Sequence, residues 1–153
     1  MELLLGSHVR EHGNRIGRLA AFELEPATRC IRRIVFSSDG ELGPSVMTRP
    51  LSAISLVHAG GQIELVPYSE RAETTPMAAV PDVALLSRAT RLRAGDRDSG
   101  PLVGLEVDPA EHAVVTVFGR HHWWSRRHAV PAAEAGFSTP GEIRISSSGT
   151  RAA

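Results

Sequence analysis

The chain writes one pattern twice, and this duplication limits its fold more than any other feature. Gly17-Arg-Leu-Ala-Ala-Phe-Glu-Leu-Glu-Pro-Ala27 returns 83 residues later as Gly100-Pro-Leu-Val-Gly-Leu-Glu-Val-Asp-Pro-Ala110. Five of the eleven positions are identical, and Phe22/Leu105, Leu24/Val107 and Glu25/Asp108 keep their chemical type. The flanks agree: Arg49-Pro-Leu-Ser-Ala-Ile54 corresponds to Val130-Pro-Ala-Ala-Glu-Ala135, and Gln62-Ile-Glu-Leu65 to Glu142-Ile-Arg-Ile145. So long a period is not that of a stacked solenoid; it predicts a small β module used twice. A module of about 60–65 residues buries too little apolar surface to be more than marginal alone. The two copies are therefore expected to pack on each other or on a second chain.

Strand signals dominate both copies. Val9 lies in a short strand stopped by His12-Gly13-Asn14, and Ile16 to Leu24 alternates Leu19, Ala21 and Glu23 with Ala20, Phe22 and Leu24. Pro26 to Arg29 forms a tight connection, because proline presets a turn and cannot continue a ladder. Cys30 to Phe36 returns antiparallel, a polar loop covers Ser37 to Pro44, and Val46 to Arg49 is a brief strand. Leu51 to Ile54 predicts one helical turn, and Ser55–His58 pairs with Gln62–Val66 across Gly60-Gly61. The second copy repeats this order with strands at Thr90–Arg93, Leu102–Val107, Ala113–Phe118, Arg127–Val130 and Glu142–Ile145. Pro81 to Arg88 is expected to be a short helix with proline in its first turn. The expected organisation is a first module over 1–68, a linker over 69–88, a second module over 89–146 and a disordered tail over 147–153. Many short strands with hardly any helix predict an all-β protein of two tandem small β-barrels, with short helical turns and a mixed linker.

The repeated order resembles the PRC-barrel family. Its pattern is carried here by Arg15-Ile-Gly17, Glu25-Pro26, Ile34-Val-Phe36, Pro50-Leu51 and Ile63-Glu-Leu65 in the first copy. In the second it is carried by Gly100, Asp108-Pro109, Val115-Thr-Val117, Val130-Pro131 and Ile143-Arg-Ile145. The second copy departs from the pattern at Pro101 to Gly104 and in the loop Gly119 to Arg127. The resemblance implies a β-barrel adaptor, as in the cytoplasmic part of the photosynthetic reaction-centre H subunit and in ribosome-maturation factors. In such settings the barrel binds other macromolecules and performs no chemistry, so no catalytic residue is carried over.

Composition narrows the possible partners. Seventeen arginines face seventeen carboxylates, with no lysine, so the chain lacks the overall positive field that drives non-specific nucleic-acid binding. The lone Cys30 is expected to be a small core residue. The opening Met-Glu-Leu-Leu-Leu-Gly is too short and wrongly charged for a signal peptide, and no apolar run reaches the roughly 20 residues of a membrane span. A soluble, cytoplasmic protein is expected.

One segment stands apart. Arg120-His-His-Trp-Trp-Ser-Arg-Arg-His128 holds both tryptophans and three of the seven histidines. As an extended strand it would point His121 and His122 to opposite faces and set His128 about 20 Å from His122 at ~3.3 Å per residue. Zinc ligands must converge to about 2 Å from one ion, so a metal site would need a tight bend or a further ligand such as His112. Trp123 and Trp124 would stack on unpaired bases, with Arg120, Arg126 and Arg127 on phosphates, if the partner were RNA. Tryptophan and arginine are also the types most enriched at protein hot spots. Neighbours on a strand face opposite ways, which predicts one buried tryptophan and one at an interface. Ser7/His8 and Ser125/His128 offer no nucleophile–base–orienter set, and Gly13-Asn-Arg-Ile-Gly17 lacks the strand-to-helix setting of a phosphate loop. Glu23 and Glu106, equivalent in the two copies, are expected to be solvent-facing strand residues rather than a carboxylate pair.

The expectation is a non-enzymatic adaptor with no catalytic residue, metal or cofactor, binding a protein partner or itself. Its candidate contact residues are Arg120, His122, Trp123, Trp124, Arg126 and Arg127. An RNA- or ribosome-associated barrel is the alternative, and a small metal-dependent enzyme the third.

Overall fold

The computed structural model describes residues 1–67 and 82–146; the expected tail over 147–153 and most of the expected linker lie outside the described residues. The first copy supplies β2 (His8–Glu11), β3 (Asn14–Glu25), β4 (Cys30–Ser37), β5 (Met47–Pro50), β6 (Ile54–Val57) and β7 (Ile63–Leu65). They form a sheet in the order β5-β4-β3-β2-β7-β6, with β2 and β7 parallel. The end strands β5 and β6 are joined by a 3-10 turn at Leu51–Ala53, the helical turn that Pro50 announces. The second copy repeats the order with β9 (Arg91–Ala94), β10 (Arg97–Val107), β11 (Val114–Gly119), β12 (His128–Pro131), β13 (Ala135–Gly136) and β14 (Glu142–Ile145). The protein is thus all-β, built as two barrel-like units. No helix among the described residues is long and apolar enough to cross a membrane.

Two further strands tie the units together. β1 (Glu2–Leu4) lies at the start of the first copy but pairs with β10 of the second, matching Leu3 with Leu105. β8 (Ala84–Ser87) leads into the second copy but pairs with β3 of the first, matching Leu86 with Phe22. Leu86 stands 83 residues after Leu3, and Leu105 stands 83 after Phe22, so the exchange is reciprocal and in register. Of the expected helix at 81–88, residues 84–87 are therefore strand, and the other described residues, 82, 83 and 88, are not helical. A segment as short as 81–88 is below the length at which a helix offsets its nucleation cost, whereas pairing with β3 buries Leu86 to 3% exposure.

The hairpin tips meet across the same pseudo-two-fold. The Ile31 amide donates to the His112 carbonyl at 2.9 Å, and the Val114 amide donates to the Arg29 carbonyl at 2.9 Å. Between them Cys30 bridges to Ala113. Cys30 is thus half-buried at the contact between units rather than in the core, its sulfur near the Thr28 and Glu111 carbonyls.

One apolar cluster runs through both units, from Leu3, Phe22, Phe36 and Ile63 to Leu92, Leu105 and Ile143. In β3, Leu19 through Phe22 are all buried, so the alternation expected there does not hold. Bulges between Leu19 and Ala21 and between Glu23 and Leu24 interrupt the period of two, and the far face is covered as well. Glu23 and Glu106 are half-buried on their strands, with Glu106 accepting a bond from the Thr116 hydroxyl at 2.8 Å.

Candidate functional site

β11 ends at Gly119, which lies opposite His128 in β12. In the first copy the same pair is Phe36 opposite Met47, and Phe36 is fully buried. A Cβ placed on Gly119 would lie 2.7 Å from His128 Nε2 and 2.7 Å from Leu92 Cδ2. The His128 imidazole therefore takes the space that the Phe36 ring fills in the other copy. Its Nε2 is buried without a hydrogen-bond partner. Burial first, and the nearby His121 charge second, push its pKa below the ordinary 6.5, so the ring is held neutral.

From this base the chain leaves the sheet as a compact turn. Gly100, at φ +97°, lies so close to the Arg120 carbonyl that any Cβ there would collide with it, so the repeated glycine also seats the loop. The turn closes on itself: the His122 amide donates to Ser125 Oγ at 3.0 Å, and that hydroxyl donates to the His122 carbonyl at 2.8 Å. His122 stacks on Trp124 with centroids 4.6 Å apart and planes 5° from parallel. Trp123 meets Trp124 edge-on at 5.6 Å. Neither tryptophan is buried: Trp123 is 82% and Trp124 68% exposed. The expectation of one buried tryptophan fails because the segment turns rather than extends, and strand alternation does not govern a turn.

The remaining candidate residues divide. Arg126 is exposed beside the tryptophans. Arg127 turns back to the sheet, donating to both Glu2 oxygens at 2.6 and 2.9 Å with its guanidinium 4.6 Å from the Phe118 ring centroid. That pairing raises the Arg127 pKa above its ordinary value. Glu2 belongs to the exchanged strand β1, so the first copy's opening residues anchor the second copy's loop. Arg120 and His122 line a cleft of about 490 Å³ with Trp123, over a floor of Leu5, Leu102 and Val103. Arg88 and His121 line it too, although in the sequence His121 stands out only as a candidate metal ligand and Arg88 not at all. Arg88 arrives just after the exchanged strand β8, and nothing local to it points to the loop.

Compared with known proteins, the chain matches no family model and no curated protein. The site therefore speaks through its own geometry. Among the described residues no group of three or more His, Cys, Asp or Glu side chains is placed to hold a metal ion. His112 sits at the hairpin tip, its carbonyl engaged by Ile31, and does not join His121 and His122. The Ser125 hydroxyl is engaged within its own turn. The arrangement sets exposed aromatic faces, packed on one another, beside guanidinium groups.

Proposed function

We propose that this protein is a non-enzymatic adaptor of PRC-barrel type, in which two interlocked barrels hold the Arg120–Arg127 loop against a protein partner. One observation carries the reading: Trp123 and Trp124 are both largely exposed, yet fixed against each other and against His122. Preordered aromatic area of this kind loses little entropy on binding and excludes water well, which is why tryptophan dominates interface hot spots. Arg126 and the rim of the cleft supply the polar surround. The parallel stacking of His122 on Trp124 would also suit a nucleobase, so RNA is the competing partner. Arg127 weakens that alternative, because Glu2 already occupies it.

The test is affinity capture with the full chain, with and without nuclease, beside Trp123→Ala and Trp124→Ala. Both substitutions act on exposed side chains and should leave stability within about 0.5 kcal/mol by thermal unfolding. Each is expected to abolish capture of a protein partner that survives nuclease. Capture that persists in both variants would sink the reading, and capture lost only with nuclease would transfer the loop to RNA.

A further inference from the structure

The two copies treat one equivalent position in opposite ways. In the first, Ser37 follows the last core residue of β4 and is 5% exposed. Its hydroxyl contacts Asp39 Oδ1 at 2.9 Å and the Glu41 carbonyl at 2.8 Å, and the Gly40 amide donates to it at 3.0 Å. That loop lies down on the sheet, with Gly40 against Arg18. In the second copy the place of Ser37 belongs to Arg120, whose Nε is buried without a hydrogen-bond partner. Here the loop is tied at its base, where the Arg120 amide donates to the Pro101 carbonyl at 3.3 Å, and beyond that bond a cleft opens over Leu102 and Val103.

The charges around this cleft are one-sided. Arg88, Arg120, Arg127, His121 and His122 line it, and no Asp or Glu does. Arg127 is neutralised by Glu2, while among the described residues the Arg88 guanidinium donates only to the Leu5 carbonyl, at 3.3 Å. In a chain whose formal charge sums to zero, this is a local cationic recess over an apolar floor. A carboxylate is the group that guanidiniums bind most directionally, and a buried donor without a partner gains most from acquiring one.

We propose that the cleft takes an acidic peptide segment of the partner, an Asp or Glu side chain held by Arg88 and Arg120 and a neighbouring apolar side chain on Leu5, Leu102 and Val103. This rests on the docking reading above and names the chemistry that the loop recognises. Charge complementarity selects the occupant: the site holds the cations and the partner brings the anion.

The chain's two tryptophans both belong to this loop, so tryptophan emission of the full chain, excited beyond the absorption of its one tyrosine, reports this loop. The probes are a blocked octapeptide alternating acidic residues with leucine, its counterpart with Gln and Asn for Glu and Asp, and a uridine octamer. The acidic peptide is expected to shift the emission and to bind at least about ten-fold more tightly than the amide peptide, the preference falling as salt rises. Arg88→Gln and Arg120→Gln should each remove most of that preference and Arg120→Lys restore part of it, with thermal unfolding confirming that each variant is folded. Equal binding of the two peptides would overturn the acidic requirement and leave the docking reading standing. Response to the uridine octamer alone would overturn both. No response to any probe at millimolar concentration would overturn the cleft proposal, while the capture experiment still decides the docking reading.

Discussion

A histidine stands where its twin copy places a phenylalanine's bulk, and burial there holds the imidazole's pKa low. His128 packs on Gly119 with an unpartnered Nε2, faced by His121, Arg97 and Asp98. The Asp98 carboxylate gives no relief, since Arg91 binds it at 2.6 Å and holds its pKa low. A histidine whose folded pKa is depressed lends its full stability above the unfolded value near 6.5. As pH falls below that value the unfolded chain takes up a proton that the folded chain resists, and stability declines until the folded ring also titrates. His128→Met, which borrows the residue of the first copy, should flatten the fall of Tm between about pH 7 and pH 5. His8, also depressed, keeps titrating in both proteins, so some slope survives. Identical slopes would show that His128 is not held neutral. Residue by residue, the loop was legible as an oddity of composition, because no other stretch gathers both tryptophans with three histidines. The partners that shape it were not: Glu2 lies 125 residues from Arg127, and no local pattern links them.

β1 and β8 are the elements on which the architecture turns. Each is three or four residues long, and each buries one leucine completely or nearly so in the other unit's sheet. Leu3→Ala and Leu86→Ala should each cost about 2–5 kcal/mol, the range for truncating a buried leucine where the cavity cannot collapse. Leu85, 46% exposed in the same strand as Leu86, is the control, and Leu85→Ala should stay within about 0.5 kcal/mol. Denaturant unfolding measures all three. A large gap between the Leu3 and Leu86 values would contradict the equivalence of the two exchanged strands. The helix expected at 81–88 shows why such elements escape a sequence reading. Val83, Leu85 and Leu86 suit a helix face or a strand, and four residues carry no period long enough to decide. The clue was the 83-residue offset itself, which carried back from Gly17 and Gly100 sets Val9 beside Leu92 and Leu3 beside Leu86.

Taken whole, the molecule is a two-fold assembly in one chain. Each unit lacks a strand that the other supplies, and a single apolar cluster crosses between them. A chain divided between residues 67 and 82 should therefore yield halves that do not fold as stable monomers. Mixed, they should reassemble one to one, with the β1–β10 and β8–β3 ladders recovering slow amide exchange. A half that stays monomeric and cooperatively folded, by sedimentation and thermal unfolding, would contradict this. The duplication, the order of strands and the turns at proline and glycine were all readable along the chain, because residues a few positions apart set them through backbone sterics and hydrophobic period. Which unit each short strand joins, that both tryptophans face outward, that Glu2 pairs with Arg127 and that Arg88 lines the cleft beside the loop were settled only by folding. Those outcomes depend on contacts between residues tens of positions apart. A strand's own pattern says which face it buries, not whose sheet will bury it.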